Sequence, residues 1–140
     1  MKQLSPAQAK QHGIRTIHHE MDNEELRFRL VSEHGSSYVL TKSTSNNGWQ
    51  ASHVHQKKQE FYVLEKGFAL FAFLVQGKVK LQKLCENESI SIPVGVAHNV
   101  RLSDNAILHT LKFGTRDEDW ESCNELDHLL REINTDDFWR

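Results

Sequence analysis

The stretch Gly48-Trp-Gln-Ala-Ser-His53-Val-His55-Gln-Lys-Lys-Gln-Glu60-Phe-Tyr-Val-Leu-Glu-Lys-Gly67 decides how this chain is read. Side chains on a strand alternate faces, so His53 and His55 point the same way. The polar run Gln56 to Gln59 reads as a turn, and a new strand beginning near Gln59 places Glu60, Tyr62 and Leu64 on one face. A hairpin folded there returns Glu60 beside the two histidines. A later segment, Ile92-Pro-Val-Gly-Val-Ala-His98, supplies a fourth group, with Pro93 and Gly95 forming the tight turn that aims His98. Three imidazoles and one carboxylate are enough to hold a divalent transition metal and leave positions open for substrate. Without the thiolates of a structural zinc site, the set suits Fe, Mn, Ni, Co, Cu or Zn, and one ion per chain is the expectation.

Taken together, the two segments resemble the cupin superfamily, in the form of a small single-domain, conserved-barrel cupin. The first cupin motif runs glycine, H-x-H, three or four residues, glutamate, six residues, glycine. Here His53-Val-His55 is followed by four residues, Glu60, six residues and Gly67. The second motif centres on P-x-G-x-x-H, matched by Pro93-Val-Gly95-Val-Ala-His98. The departures are Asn87 where a glycine is usual, Leu102 where an asparagine is usual, and Gly48 lying one residue closer to His53 than the pattern prefers. None of them touches a metal ligand. The resemblance covers roughly Ser36 to Phe113. It implies an all-β, single jelly-roll (double-stranded β-helix) barrel that binds metal through His53, His55, Glu60 and His98.

The rest of the chain agrees with such a barrel. Strands are expected near residues 14–18, 26–30, 36–44, 49–55, 60–65, 68–75, 78–84, 88–92, 97–102 and 106–113. Turn residues at Ser45–Gly48, Gly67, Gly77, Asn87, Gly95 and Asp104-Asn105 punctuate them, the spacing of a sandwich or barrel. Residues 1–13 read as an arm with a helical turn after Ser5-Pro6, and residues 14–114 as the barrel. Residues 115–140 read as a C-terminal helix and tail. Thr115-Arg-Asp-Glu118 fits a capping box, and Trp120, Cys123, Leu126, Leu130 and Ile133 recur at helical spacing. This amphipathic helix is expected on the outside of the barrel or on a second subunit. The aromatic pair Phe138-Trp139 needs a surface to cover, which suggests a homodimer.

Composition narrows the partners. With 140 residues and a net charge of −2, the chain suits one domain with one core and lacks the basic footprint of a nucleic-acid binder. No stretch reaches the length of a membrane span, and no apolar leader is apparent. Cys85 and Cys123 are far apart and not in C-x-x-C, which favours free thiols and a cytoplasmic setting.

Period-two alternation also nominates pocket walls. Trp49 and Ala51 share the face of His53, and Val100 and Leu102 that of His98. Ile107, His109, Leu111 and Phe113 share a face opposite Lys112. His109 is thus a polar group on an apolar stripe expected to face inward, and becomes the candidate acid/base beside the metal, with Tyr62 as a weaker catalytic candidate. Arg27, Arg29 and Arg101 are expected to point to solvent. By analogy with small cupins, the expected function is an isomerase or epimerase acting on a sugar or sugar phosphate, a polar small molecule. The alternatives are an Fe(II)-dependent cupin dioxygenase and a non-enzymatic cupin that binds a small ligand.

Overall fold

A computed structural model describes residues 1–45 and 48–139. The turn expected at Ser45–Gly48 includes Asn46 and Asn47, which lie outside the described residues. A short helix, α1 (Pro6–Gln11), is capped by Ser5, whose hydroxyl accepts from the Gln8 amide while Gln8 returns a bond to the Ser5 amide. The strands β1 (Ile14–Glu20), β2 (Leu26–Ser32), β3 (Ser37–Lys42), β4 (His53–His55), β5 (Gln59–Lys66), β6 (Ala69–Val75), β7 (Lys78–Leu84), β8 (Ser89–Ile92), β9 (Ala97–Leu102), β10 (Ile107–Phe113) and β11 (Trp120–Ser122) follow, then α2 (Asn124–Arg131) and a 3-10 turn at Asp136–Trp139.

They form two antiparallel sheets, β1-β2-β3-β10-β5-β8 and β11-β4-β9-β6-β7. This is the jelly roll expected from the sequence. The inner faces meet in a core built from Tyr62, Leu64, Ala69, Phe71, Leu84, Ile92, Val100, Leu102, Ala106 and Leu108. Apolar groups on alternate positions of both sheets leave water together here, the main stabilising term of a sandwich. The start of β6 is apolar without alternation because both its faces are covered. Phe71 points into the barrel, whereas Ala72 packs outward under Leu126 and Leu130 of α2.

Positive φ is needed where the chain turns hard. Gly67 has φ +86°, and a Cβ there would lie 2.6 Å from Ser103 Oγ. Asn87, the departure from the glycine of the motif, holds φ +67°, a conformation asparagine tolerates better than other side chains. Leu102, the second departure, is 4% exposed and belongs to the core.

Three sequence expectations are corrected. First, β4 does not form a hairpin with β5; it pairs with β9 and β11, and Gln56 to Lys58 cross from one sheet to the other. Second, the helix expected from Thr115 begins at Asn124. The Thr115 hydroxyl instead accepts from the Asp117 amide, Glu118 accepts from the Trp120 amide, and Trp120 joins a strand. Side-chain bonds to nearby amides compete with helix at this segment. Third, Trp49 packs with the α2 cluster outside the barrel, so only Ala51 of that pair reaches the interior cavity.

Of the C-terminal aromatic pair, Trp139 finds a partner within its own chain. Arg101 donates to Thr135 Oγ1 at 2.6 Å, and its guanidinium lies 5.4 Å from the centre of the Trp139 ring. No helix among the described residues is long and apolar enough to cross a membrane.

Candidate metal centre

Glu60 sits on β5 of one sheet, and His53, His55 and His98 sit on β4 and β9 of the other, so the site bridges the two sheets. His53 and His98 are directly paired in register. The Pro93–Gly95 turn is pinned to β4 by the Gly95 amide, which donates to the His55 carbonyl at 2.7 Å. That bond and φ +79° at Gly95 set the start of β9, and hence His98.

All three imidazole Nε2 atoms converge on one oxygen. Glu60 Oε1 lies 3.2 Å from His53, 3.1 Å from His55 and 2.9 Å from His98. His53, Glu60 and His98 each place a ligand atom within 4.8 Å of the other two. Each Nδ1 is engaged elsewhere: His53 with the Ala51 carbonyl at 3.0 Å, His98 with the Val96 carbonyl at 3.0 Å, His55 with Asp119 Oδ1 at 2.7 Å. A carbonyl only accepts, so Nδ1 carries the proton in His53 and His98, and their Nε2 lone pairs face the carboxylate. The buried Nε2 atoms of His55 and His98 have no hydrogen-bond partner. Lone pairs gathered around a carboxylate oxygen call for a cation, and the donor set fits one divalent metal.

Without a metal, protons on the imidazole Nε2 atoms take the place of the cation: burial opposes ionisation of Glu60, and the imidazoles acting as donors, with nearby Lys112, hold its carboxyl far below the usual range. Burial also opposes charge on His55, but Glu60 and Asp119 outweigh it and raise its pKa. For Asp119, the backbone amides of Lys58 and Lys57 and the His55 ring overcome burial and bring the carboxyl down to about 2. Asp119 thus orients His55 with one oxygen and ties down the crossing loop with the other, at 2.7 and 2.9 Å from the Lys57 and Lys58 amides. Reading the sequence by spacing missed Asp119, because it falls in the segment assigned to the first turn of a helix.

Tyr62 lies inside as expected, but its hydroxyl is committed: it donates to Glu60 Oε2 at 2.6 Å. Burial, then the Glu60 charge, push its pKa well above the ordinary value, so it keeps that proton. Tyr62 therefore positions Glu60. His109 is not at the site. On β10 it is Leu108, Thr110 and Lys112 that line the interior cavity, while His109 projects from the opposite face. There it contacts Tyr38 Oη at 2.6 Å and Glu65 Oε1 at 3.2 Å. Alternation was read correctly and its inward face inverted, because the apolar stripe lies on the outside of the sheet.

The same inversion applies to β2. Phe28 and Leu30 are 40% and 46% exposed, and Arg27 and Arg29 turn inward. A cavity of about 400 Å³ opens over the centre, and its wall includes His53, Glu60, Arg27, Arg29, Lys112 and Trp120. Lys112 is paired with Glu60 in register, so both point into it. Arg27 is held by Glu25 at 3.2 Å, and Glu25 also accepts from Gln50 Nε2 at 3.0 Å. Trp120 stacks on His53 at 5.7 Å between ring centres. Arg101, as expected, faces away from the cavity.

Comparison with known proteins adds the fold. No family model and no curated protein matches the chain. Among solved structures it is similar to the oxalate decarboxylase of Lactobacillus farciminis in a formate complex (TM-score 0.63, 15% identity, 88% of this chain and 37% of that one). The Bacillus subtilis oxalate decarboxylase gives a TM-score of 0.61 and 13% identity over 88% of this chain and 36% of that one. An uncharacterised protein with a double-stranded β-helix domain from Klebsiella pneumoniae matches at TM-score 0.60 and 16% identity, over 75% of this chain and 89% of that one. The chain spans about a third of the length of the oxalate decarboxylase chains it matches. These likenesses show a double-stranded β-helix fold. Within it, the buried His53, Glu60 and His98 cluster is able to hold one metal ion.

Proposed function

We propose that the chain is a metal-dependent enzyme acting on a small carboxylate, by decarboxylation or by oxygen-dependent cleavage. The observation that carries this reading is the shared cavity: Arg27, Arg29 and Lys112 stand on the same wall as the metal-ligand face of Glu60. The ligands are His53, His55, Glu60 and His98, a set that suits Mn or Fe. When bound, the metal supplies Lewis-acid or redox chemistry at the substrate. The arginines bind and orient the substrate carboxylate, for which a guanidinium is matched in shape as well as charge. Lys112 holds a proton at the cavity wall beside Glu60, where a carbanion left by loss of carbon dioxide would need one. Trp120, stacked on His53, narrows the mouth and limits water.

Sugar isomerisation is less well supported. That chemistry needs a base free to remove a proton next to a carbonyl. His109 faces outward, Tyr62 is engaged with Glu60, and the cavity wall carries Arg27, Arg29 and Lys112 beside the carboxylates of Asp22 and Glu60. The solved structures of similar fold include oxalate decarboxylases, which points the same way by analogy. A homodimer would use the outer face of the larger sheet, where Phe28, Leu30, Leu111 and Phe113 stay exposed.

The deciding experiment counts metal per purified chain, then measures carbon dioxide release and oxygen uptake with oxalate and other small carboxylates. Turnover of a carboxylate that disappears with metal removal supports the proposal. Turnover of a neutral sugar, with no turnover or binding of any carboxylate, rejects it.

A further inference from the structure

Arg29, Val39 and Lys112 also line a second cavity, of about 570 Å³, on the other side of these side chains. Its remaining wall brings Lys10, Arg15, Lys58 and Arg116 together with two carboxylates, Glu33 and Glu118. Counting Arg29 and Lys112, cations outnumber carboxylates there three to one. Among the described residues none of these six cations is ion-paired to a carboxylate. Arg29 and Arg116 instead reach His19 Nδ1 at 2.7 Å and His34 Nδ1 at 2.9 Å.

The sheet register explains the placement. Arg15 pairs with Val31, Val31 with Ser37, Ser37 with Lys112, and Lys112 with Glu60. Residues directly opposite in a ladder share a face. One inward row therefore runs from the Arg15 edge of the sheet to a metal ligand. Cations gathered without carboxylate partners repel one another, and a bound anion relieves that repulsion.

We propose that the second cavity is an anion subsite that receives a second acidic group of the substrate, carboxylate or phosphate. The substrate is then a dianion, with one group held beside the metal and the other beyond Arg29 and Lys112. This deepens the reading of the first cavity and rests on it for the identity of the substrate. The subsite itself binds an anion with or without metal.

Calorimetric titration of the full chain with inorganic phosphate, both metal-loaded and stripped by chelator, tests the subsite. Titration of the metal-loaded chain with acetate tests the first cavity separately. Phosphate binds both forms, and the double variant Arg15→Glu, Lys58→Gln weakens it by about tenfold or more, since charged hydrogen bonds are the strong ones. Metal content and acetate binding stay unchanged in that variant. If the double variant does not fold, Arg15→Gln alone, on the edge strand, gives the same readout with a smaller loss. Displacement of phosphate by succinate at similar concentration assigns the second group as a carboxylate; failure to displace it assigns a phosphate ester. Phosphate binding retained without acetate binding supports the subsite while rejecting the carboxylate reading of the metal cavity. Phosphate that binds only the metal-loaded form, binds the charge variants as tightly as the parent, or does not bind at all overturns the inference.

Discussion

Asp119 Oδ1 lies 2.7 Å from His55 Nδ1, although the two residues are 64 positions apart. The bond sets which ring nitrogen of His55 faces the metal centre and makes that nitrogen more basic. Asp119 also accepts from the amides of Lys57 and Lys58, so it fixes the loop that carries the chain from the histidines to Glu60. Asp119→Ala is therefore expected to weaken metal affinity by about 10- to 100-fold while the barrel stays folded. A metal titration followed by circular dichroism checks it. Unchanged affinity would reduce Asp119 to a loop anchor.

Glu60 is 2% exposed, and its Oε1 faces all three imidazoles. Glu60→Gln keeps the shape and removes the charge, and metal content is expected to fall well below one ion per chain. Metal should also leave the parent protein on acidification through the imidazole range, because protons compete for the same Nε2 lone pairs. Elemental analysis of the variant, and of the parent dialysed across that range, tests both. Full occupancy in Glu60→Gln would remove Glu60 from the ligand set.

Arg29 reaches the cavity from β2 and makes no carboxylate ion pair among the described residues. Burial, then the neighbouring Arg27 charge, lower its pKa, so its positive charge is uncomfortable and an anion is welcome. Arg29→Ala is expected to raise KM for a carboxylate substrate about tenfold or more, with metal content unchanged. Kinetics at fixed metal occupancy decide it. A fall in kcat at constant KM would place Arg29 in the chemistry and not in binding.

Most of the barrel, and the gathering of His53, His55, Glu60 and His98 at one place, were legible in the sequence, because H-x-H, Glu60 and P-x-G-x-x-H carry their geometry in short local spacings. Inward and outward faces were not legible on β2 and β10. Alternation says that Arg29 and Leu30 face opposite ways, but it does not say which side is the inside. The rule that apolar residues face in fails here because the interior at this end is a polar cavity and the outer sheet face is uncovered. Asp119 was hidden for a different reason: its partner lies across the fold, and local capping signals pointed to a helix that tertiary pairing replaced with β11.

His109 tests that inversion directly. It touches Tyr38 and Glu65, and it is 26% exposed at the side chain. His109→Ala is expected to leave metal content and turnover at parental levels and to cost about 1 kcal/mol of stability, the typical net worth of one hydrogen bond. Loss of turnover with metal intact would return His109 to the site.

Leu126 separates structural from chemical sensitivity. It is fully buried on α2 and packs, with Leu130, over Ala72 on the outer face of β6. On the inner face of the same strand, Phe73 is paired with His98 in register. Leu126→Ala removes buried methyl groups and leaves a cavity that rigid strands cannot collapse, at an expected cost of about 2–5 kcal/mol. Because the lost contact lies on the far side of the sheet, metal affinity in the folded fraction should not change. Denaturant unfolding and a metal titration on the same preparation read the two effects independently. A loss of affinity that matches the loss of stability would mean that α2 holds β9, and with it His98, in place.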